Sequence, residues 1–374
     1  MSNGSEKTAL GRFAATVLVC MIIGGSFTAC ARRPANSGAR DTGPGQAARS
    51  GGSAPAPAGD KGGLTAPSPA SPTTPELSRD EGTGSAAGPV NTAQTLMEAA
   101  QFGDVKLVKS FLARGADRGT LNQALFVAAS SEPLAIDPSG RVVNDLEFGY
   151  AAIARLLLEK GARPEARDEA GRTPLILAAG HGETGVVKLL LERGVNIEAA
   201  DGEGATALIW AACNCPGVDM PDTSDSVRVL LKNGANIEAK DGKGGTALMA
   251  AATWGRAWIL QILLDKGAQI EARDEQGNTA LIVAASGGGY PTADAVQMLL
   301  ARGADIEASD NDGDTALMRA ASTGGYEDAK IVKMLLDRGA DVRAKNKIGQ
   351  TALDLATKAG RLKVLPLLRA TTAR

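Results

Sequence analysis

The sequence predicts an all-α solenoid of about eight helix-turn-helix units, joined by tight turns and short hairpins. Related phrases return along the chain, such as GNTALIVAA at the start of a unit and RGADIEASD at its end. An internal repeat of this kind overrides the two or three ordinary domains that 374 residues could otherwise hold. Aromatic residues make up only 3% of the chain, which suits many small contacts between thin stacked units rather than one large core.

Two recurring residues set the spacing of the units. A threonine opens each unit, and it always follows by twelve residues the glycine that ends the second helix of the unit before it. Consecutive threonines are 33, 40, 33, 36 and 36 residues apart, so the turn between units has a constant length and the variation lies between the two helices of a unit. The threonines are Thr173, Thr206, Thr246, Thr279, Thr315 and Thr351, and the glycines are Gly161, Gly194, Gly234, Gly267, Gly303 and Gly339.

Each unit carries the residue types that its local structure needs. Threonine suits a helix N-cap, where its hydroxyl accepts a backbone N–H, and Pro174 suits the first helical position. An alanine pair in the first helix gives a small face that lets neighbouring first helices pack closely, while Val186 and Leu190 keep helical spacing on the second helix. The closing glycine suits the left-handed conformation at a helix end, and Asp168 and Gly171 suit a tight turn.

This T-P-L…A-A…G…L-L…G-A phrase and its 33-residue period resemble the ankyrin repeat. The resemblance covers about Thr92 to Arg369, including two divergent units at Gln94–Asp117 and Leu121–Ala162, the second with an insert near residues 130–148. The last unit is rich in Lys and Arg, as a solvated cap would be. The resemblance implies a non-catalytic, monomeric module without a cofactor, which binds a partner protein on its concave side.

The concave side of that family consists of the turn tips and the exposed positions of the first helices. Carried onto this chain, it predicts that Trp210 and Trp254 contact a partner, because Trp is enriched among binding hot spots. The alternative is that each Trp fills space beside the alanine-rich seam. The full set of candidate residues is Arg172, Leu177, His181, Trp210, Lys243, Trp254, Asn278, Asp314 and Arg319.

Extra residues between the two helices of three units predict a second contact surface along one edge of the stack. These segments are CNCPGVDMPDTSD, SGGGYPTAD and STGGYEDAK. Tyr290 and Tyr326 occupy equivalent places in the last two. We therefore expect an edge of repeated loops that presents paired tyrosines.

Few residues suit chemistry other than binding. His181 is the only histidine, which removes Ser-His-Asp and Cys-His arrangements unless it serves in one, and we expect it to be an ordinary surface residue. The Cys213-Asn214-Cys215 motif lacks the second ligand pair of a zinc site, and a disulfide between its cysteines would be a strained ring. Redox or metal handling through Cys213 and Cys215 is the alternative function. A formal net charge of -2 gives no electrostatic footprint for nucleic acid.

The first 29 residues predict an export signal. Lys7 and Arg12 precede an apolar run that ends in small residues before Cys30. This end resembles the lipobox of bacterial lipoproteins, although Phe27 stands where Leu is usual. The resemblance implies cleavage before Cys30 and fatty acyl chains on that cysteine. Because Ala31 follows it, the resemblance also implies that the protein is sorted to the outer membrane, where it faces the periplasm. The alternatives are an ordinary cleaved signal and an uncleaved anchor.

Residues 30–91 predict a disordered tether ahead of the repeat domain at 92–374. They are rich in Pro, Gly, Ala and Ser and have almost no large apolar side chains, so they cannot bury enough surface to offset the entropy of ordering. About 60 such residues behave as a coil with an end-to-end distance on the order of 45 Å.

Overall fold

The computed structural model describes residues 92–130, 149–213, 222–287, 290–325 and 327–372, and these form sixteen α-helices without a strand. The predicted export signal, Cys30, the tether, Cys215 and Tyr326 lie outside the described residues. The first eight helices are α1 Thr92–Gln101, α2 Val105–Ala113, α3 Arg118–Ser130, α4 Gly149–Glu159, α5 Pro174–Gly180, α6 Thr184–Glu192, α7 Ala207–Cys213 and α8 Ser224–Lys232. The other eight are α9 Ala247–Thr253, α10 Ala257–Asp265, α11 Ala280–Ala285, α12 Ala293–Ala301, α13 Ala316–Thr323, α14 Asp328–Asp337, α15 Ala352–Lys358 and α16 Leu365–Thr372.

The helices form eight antiparallel pairs that stack in two layers. The odd-numbered helices pack against one another in sequence as an inner layer, and the even-numbered helices do the same as an outer layer. The principal contacts of each pair are with the pair before it and the pair after it. The predicted all-α solenoid of eight helix-turn-helix units is confirmed.

Small residues make the inner layer compact. The alanine pair of each inner helix from α5 to α13 is buried, as is the leucine two residues after the opening threonine. Outer helices bury larger aliphatic side chains, for example Val186, Leu190 and Leu260, against the inner layer. Apolar side chains are thus buried both between the two helices of a unit and between neighbouring units, in one continuous cluster.

The ends of the helices follow the sequence pattern with one exception. The hydroxyl of Thr279 accepts the backbone N–H of Ile282, and the opening threonines of four other units make the same N-cap bond. The exception is Thr206, whose buried hydroxyl has no hydrogen-bond partner among the described residues. The six closing glycines have φ between 72° and 102°, as predicted for the left-handed position.

A backbone hydrogen bond joins each turn to the next. The N–H of Gly242 donates to the carbonyl of Glu203 over 2.7 Å, and the N–H of Glu275 donates to the carbonyl of Lys243 over 2.9 Å. Three further pairs continue the series, namely Gly202 to Ala170, Asn311 to Gln276 and Lys347 to Asp312. The turns therefore form a continuous hydrogen-bonded edge.

A glutamate four residues after the closing glycine makes a second hydrogen bond between units. Glu238 accepts the backbone N–H of Gln269 over 2.8 Å, and four other glutamates at the equivalent position accept the corresponding N–H of the next unit. Bonds from a backbone N–H to a carboxylate are stronger than neutral ones. Arg343, between α14 and α15, takes the place of the glutamate.

Candidate interaction surface

An aspartate organises each of five successive turns between units. It lies five residues before the opening threonine, and its Oδ1 accepts two backbone N–H groups of the turn. Asp241 Oδ1, for example, accepts from Lys243 and Gly245, each over 2.8 Å. Asp168, Asp201, Asp274 and Asp310 do the same in their units. One carboxylate oxygen thus holds the turn, and Oδ2 remains for a side chain.

Two positions of a unit supply a side-chain donor to Oδ2. The residue just before the opening threonine does so in two units, where Arg172 Nε donates to Asp168 over 2.7 Å and Asn278 Nδ2 donates to Asp274 over 2.9 Å.

The residue four after the threonine does so in two others. Trp210 Nε1 donates to Asp201 over 2.7 Å, and Arg319 Nε donates to Asp310 over 2.8 Å. We call these two places the donor positions. Several candidate side chains are therefore already engaged within the chain.

Trp210 links two successive units. It is half-buried, and a Cβ placed on Gly180 of the preceding inner helix would lie 3.1 Å from its Cε3 atom. The guanidinium of Arg172 lies 5.6 Å from the centre of its ring, at cation–π distance. Together with the bond to Asp201, these contacts give Trp210 a packing role and leave part of the ring on the surface.

Three of the candidates are buried, which corrects the expectation that they are exposed. Leu177 lies four residues after Thr173. Its side chain is aliphatic, so it packs into the hydrophobic core and is only 4% exposed. Asn278 is 6% exposed and binds Asp274. Asp314 is 8% exposed, and its Oδ1 accepts from Asn346 Nδ2 of the next unit over 2.9 Å.

The remaining candidates keep some exposure. Lys243 is exposed at a turn tip. Arg319 is half-buried among three carboxylates, since it bonds Asp310 and lies 3.6 Å from Asp312 and 3.5 Å from Asp314. The half-buried ring of Trp254 lies 4.4 Å from that of Tyr290 with the planes tilted by 54°. Tyr290 thus ties its insert to the preceding inner helix, and its equivalence with Tyr326 stays a prediction.

His181 is not the ordinary surface residue that its position predicted. It is half-buried at the end of α5, and its Nδ1 is buried without a hydrogen-bond partner among the described residues. Burial of the imidazole and, secondarily, the positive charge of Arg172 lower the pKa of His181 to about 4. The side chain is therefore neutral at pH 7.

Cys213 ends α7, and Cys215 follows outside the described residues, so the alternative redox or metal function stays a prediction. Within the described ranges no group of three or more His, Cys, Asp or Glu is placed to hold a metal ion. None of the described helices is long and apolar enough to cross a membrane.

One exposed aromatic residue was missed by the sequence reasoning. Trp258 is 77% exposed on the outer helix α10. Counted back from the closing glycine, its position is held by Gly185, Asp225 and Asp294 in other units. A Trp where other units place small or charged residues indicates an unusual surface position, but the predicted contact residues lie in the first helices, the turn tips and the inserts.

The altered pKa of His181 predicts a pH-dependent stability. The unfolded chain binds a proton below about pH 6.5, whereas folded His181 does so only near 4. The stabilising contribution of neutral His181 is fully present above pH 6.5 and is lost as the pH falls toward 4. Over this range the free energy of unfolding changes by at most about 1.4 kcal/mol per pH unit on account of His181. Urea unfolding between pH 4 and 6.5 should show a shallower pH dependence for His181→Asn than for the wild type. Identical profiles would contradict the altered pKa.

The comparison with known families agrees with this geometry. The family model described as ankyrin repeats (3 copies) matches residues 144–241, 221–310 and 289–373. No curated protein matches the chain significantly. The matched segments cover more than half of the chain and contain helices α4 to α16, and the chain therefore belongs to the ankyrin-repeat family.

Proposed function

We propose that the concave face of this protein binds a partner protein and that an N-terminal lipid holds it at a bacterial envelope, in a non-catalytic scaffold, inhibitor or immunity-type role. Ankyrin repeats indicate a protein–protein interaction module.

The observation that supports the concave face is the fixed row of turn tips. Glu203, Lys243, Gln276 and Asp312 are exposed at equivalent places of four successive turns. The backbone of each of these turns is bonded to the next, and an aspartate holds it from within. Side chains on such a backbone lose little freedom on binding, and this preorganisation favours affinity.

The support for the envelope location comes from the sequence of the first 91 residues. Cys30 directly follows the apolar run and two small residues, Thr28 and Ala29. Acyl chains contribute about 0.8 kcal/mol per buried methylene, so more than one of them gives a stable anchor. The tether would let the repeats reach on the order of 45 Å from the bilayer.

Site-specific photo-crosslinking tests the concave face. A benzophenone amino acid in place of Lys243, at a turn tip, should give a crosslinked protein adduct in the envelope of the producing cell. The same amino acid in place of Lys188, which is exposed on the outer helix α6, is the matched control and should give none. Adducts from position 188 but not from position 243 would place the partner on the outer helices instead.

Cell fractionation tests the anchor separately. Cys30→Ser removes the acylation site, so the chain should move from the membrane fraction to the soluble fraction, while wild type should label with a radioactive fatty acid. Retention of Cys30→Ser in the membrane, with no label on the wild type, would favour the uncleaved anchor.

A further inference from the structure

The unit that Thr246 opens differs from its neighbours at both donor positions. It has Gly245 before the threonine and Ala250 four residues after it, and neither side chain carries a donor. Asp241 still organises the turn through Oδ1, but its Oδ2 accepts no hydrogen bond from any described residue. The units on either side, built on Asp201 and Asp274, both satisfy this oxygen from within.

Gly245 places no side chain over the carboxylate, which lies close to its backbone. A Cβ placed on Gly245 would lie 2.9 Å from Asp241 Oδ2 and 3.2 Å from Oδ1, so a side chain there would displace the carboxylate slightly and then cover it. Asp241, Gly245 and Ala250 are each only half-buried. Neither donor position therefore covers Oδ2 of Asp241.

The other units show which chemical group this oxygen takes. All four occupants are N–H donors, and two of them are guanidinium groups, those of Arg172 and Arg319. Arg319 uses both Nε and Nη2 on Asp310. A planar cation with several N–H groups fits a carboxylate well in geometry and in charge.

We infer that Asp241 is the acceptor for an arginine side chain of the partner protein, which takes the place that the chain's own donors fill in neighbouring units. The inference rests on the proposed concave-face binding and adds the chemistry of one contact. Lys243 in the same turn carries a positive charge, which repels an arginine. Its side chain is exposed, so solvent and salt screen that charge more strongly than the charge of the half-buried carboxylate.

Two substitutions with precedents in this chain isolate the contact. Asp241→Asn copies Asn346 of the last unit, whose Oδ1 accepts the turn N–H groups of Ile348 and Gln350, so the turn is retained while the anionic acceptor is lost. Gly245→Asn copies Asn278 and covers Oδ2 from within the chain. Asp310→Asn is the matched control, because there the oxygen is already bound by Arg319.

A library of random twelve-residue peptides selected on the full-length chain provides the probe. Enriched peptides should share an arginine, and Asp241→Asn and Gly245→Asn should each weaken their binding about tenfold or more, the usual scale for one charge-assisted hydrogen bond. Replacing that arginine with citrulline should weaken binding to wild type and change binding to Asp241→Asn little. Asp310→Asn should lower the thermal midpoint and leave the peptide affinity unchanged.

The outcomes separate this inference from the proposed function. A selection that returns no arginine-bearing binder, or binders with equal affinity for wild type and Asp241→Asn, would overturn the inference. If the selected peptides nevertheless crosslink to the benzophenone at position 243, the concave face remains the binding surface and only the arginine contact is refuted. Crosslinking from position 188 alone would overturn both.

Discussion

The backbone hydrogen bond between successive turns determines how each repeat is placed on the next. It requires an N–H and a carbonyl at fixed places in the turn, and this explains why the glycine-to-threonine spacing never changes while the helix-to-helix spacing does. The turns also approach closely. Gly204 has φ of +82°, and a Cβ there would lie 2.7 Å from the backbone nitrogen of Gly242 in the following turn. Extra residues are therefore accommodated only between the two helices of a unit, at the opposite edge.

This arrangement separates the fold from the chemistry of the surface. The alanine pairs, the closing glycines and Oδ1 of the turn aspartates are alike from unit to unit, and they build the stack. The two donor positions differ from unit to unit, with Arg172, Trp210, Asn278 and Arg319 as donors and Gly245 with Ala250 as the exception. The residues at these positions therefore decide in which units the second carboxylate oxygen is bound by a side chain of the chain itself.

The sequence predicted the architecture because its determinants are local and repeated. N-caps, helix-ending glycines and alanine faces depend on residues within one unit, and the threonine and glycine recur six times and the alanine pair five times. The site was predicted less well because its determinants lie between units. Glu238 and Gln269 are 31 residues apart, and nothing local to either residue indicates their bond. Likewise, the burial of Leu177 and the packing of Trp210 on Gly180 depend on how closely neighbouring inner helices approach.

Deletion of one whole unit tests most directly whether each unit is stabilised by its neighbours alone. Removing residues 246–278 joins Gly245 to Thr279 and places that threonine twelve positions after Gly234, as in the other units. Glu238 then faces the N–H of Asp305 in place of Gln269, and the carbonyl of Lys243 faces the N–H of Asn311. Circular dichroism with urea unfolding should show the helical signal lowered only by the two deleted helices, with cooperative unfolding at a lower urea midpoint. Loss of most of the helical signal would contradict a stack and indicate a core shared by the whole chain.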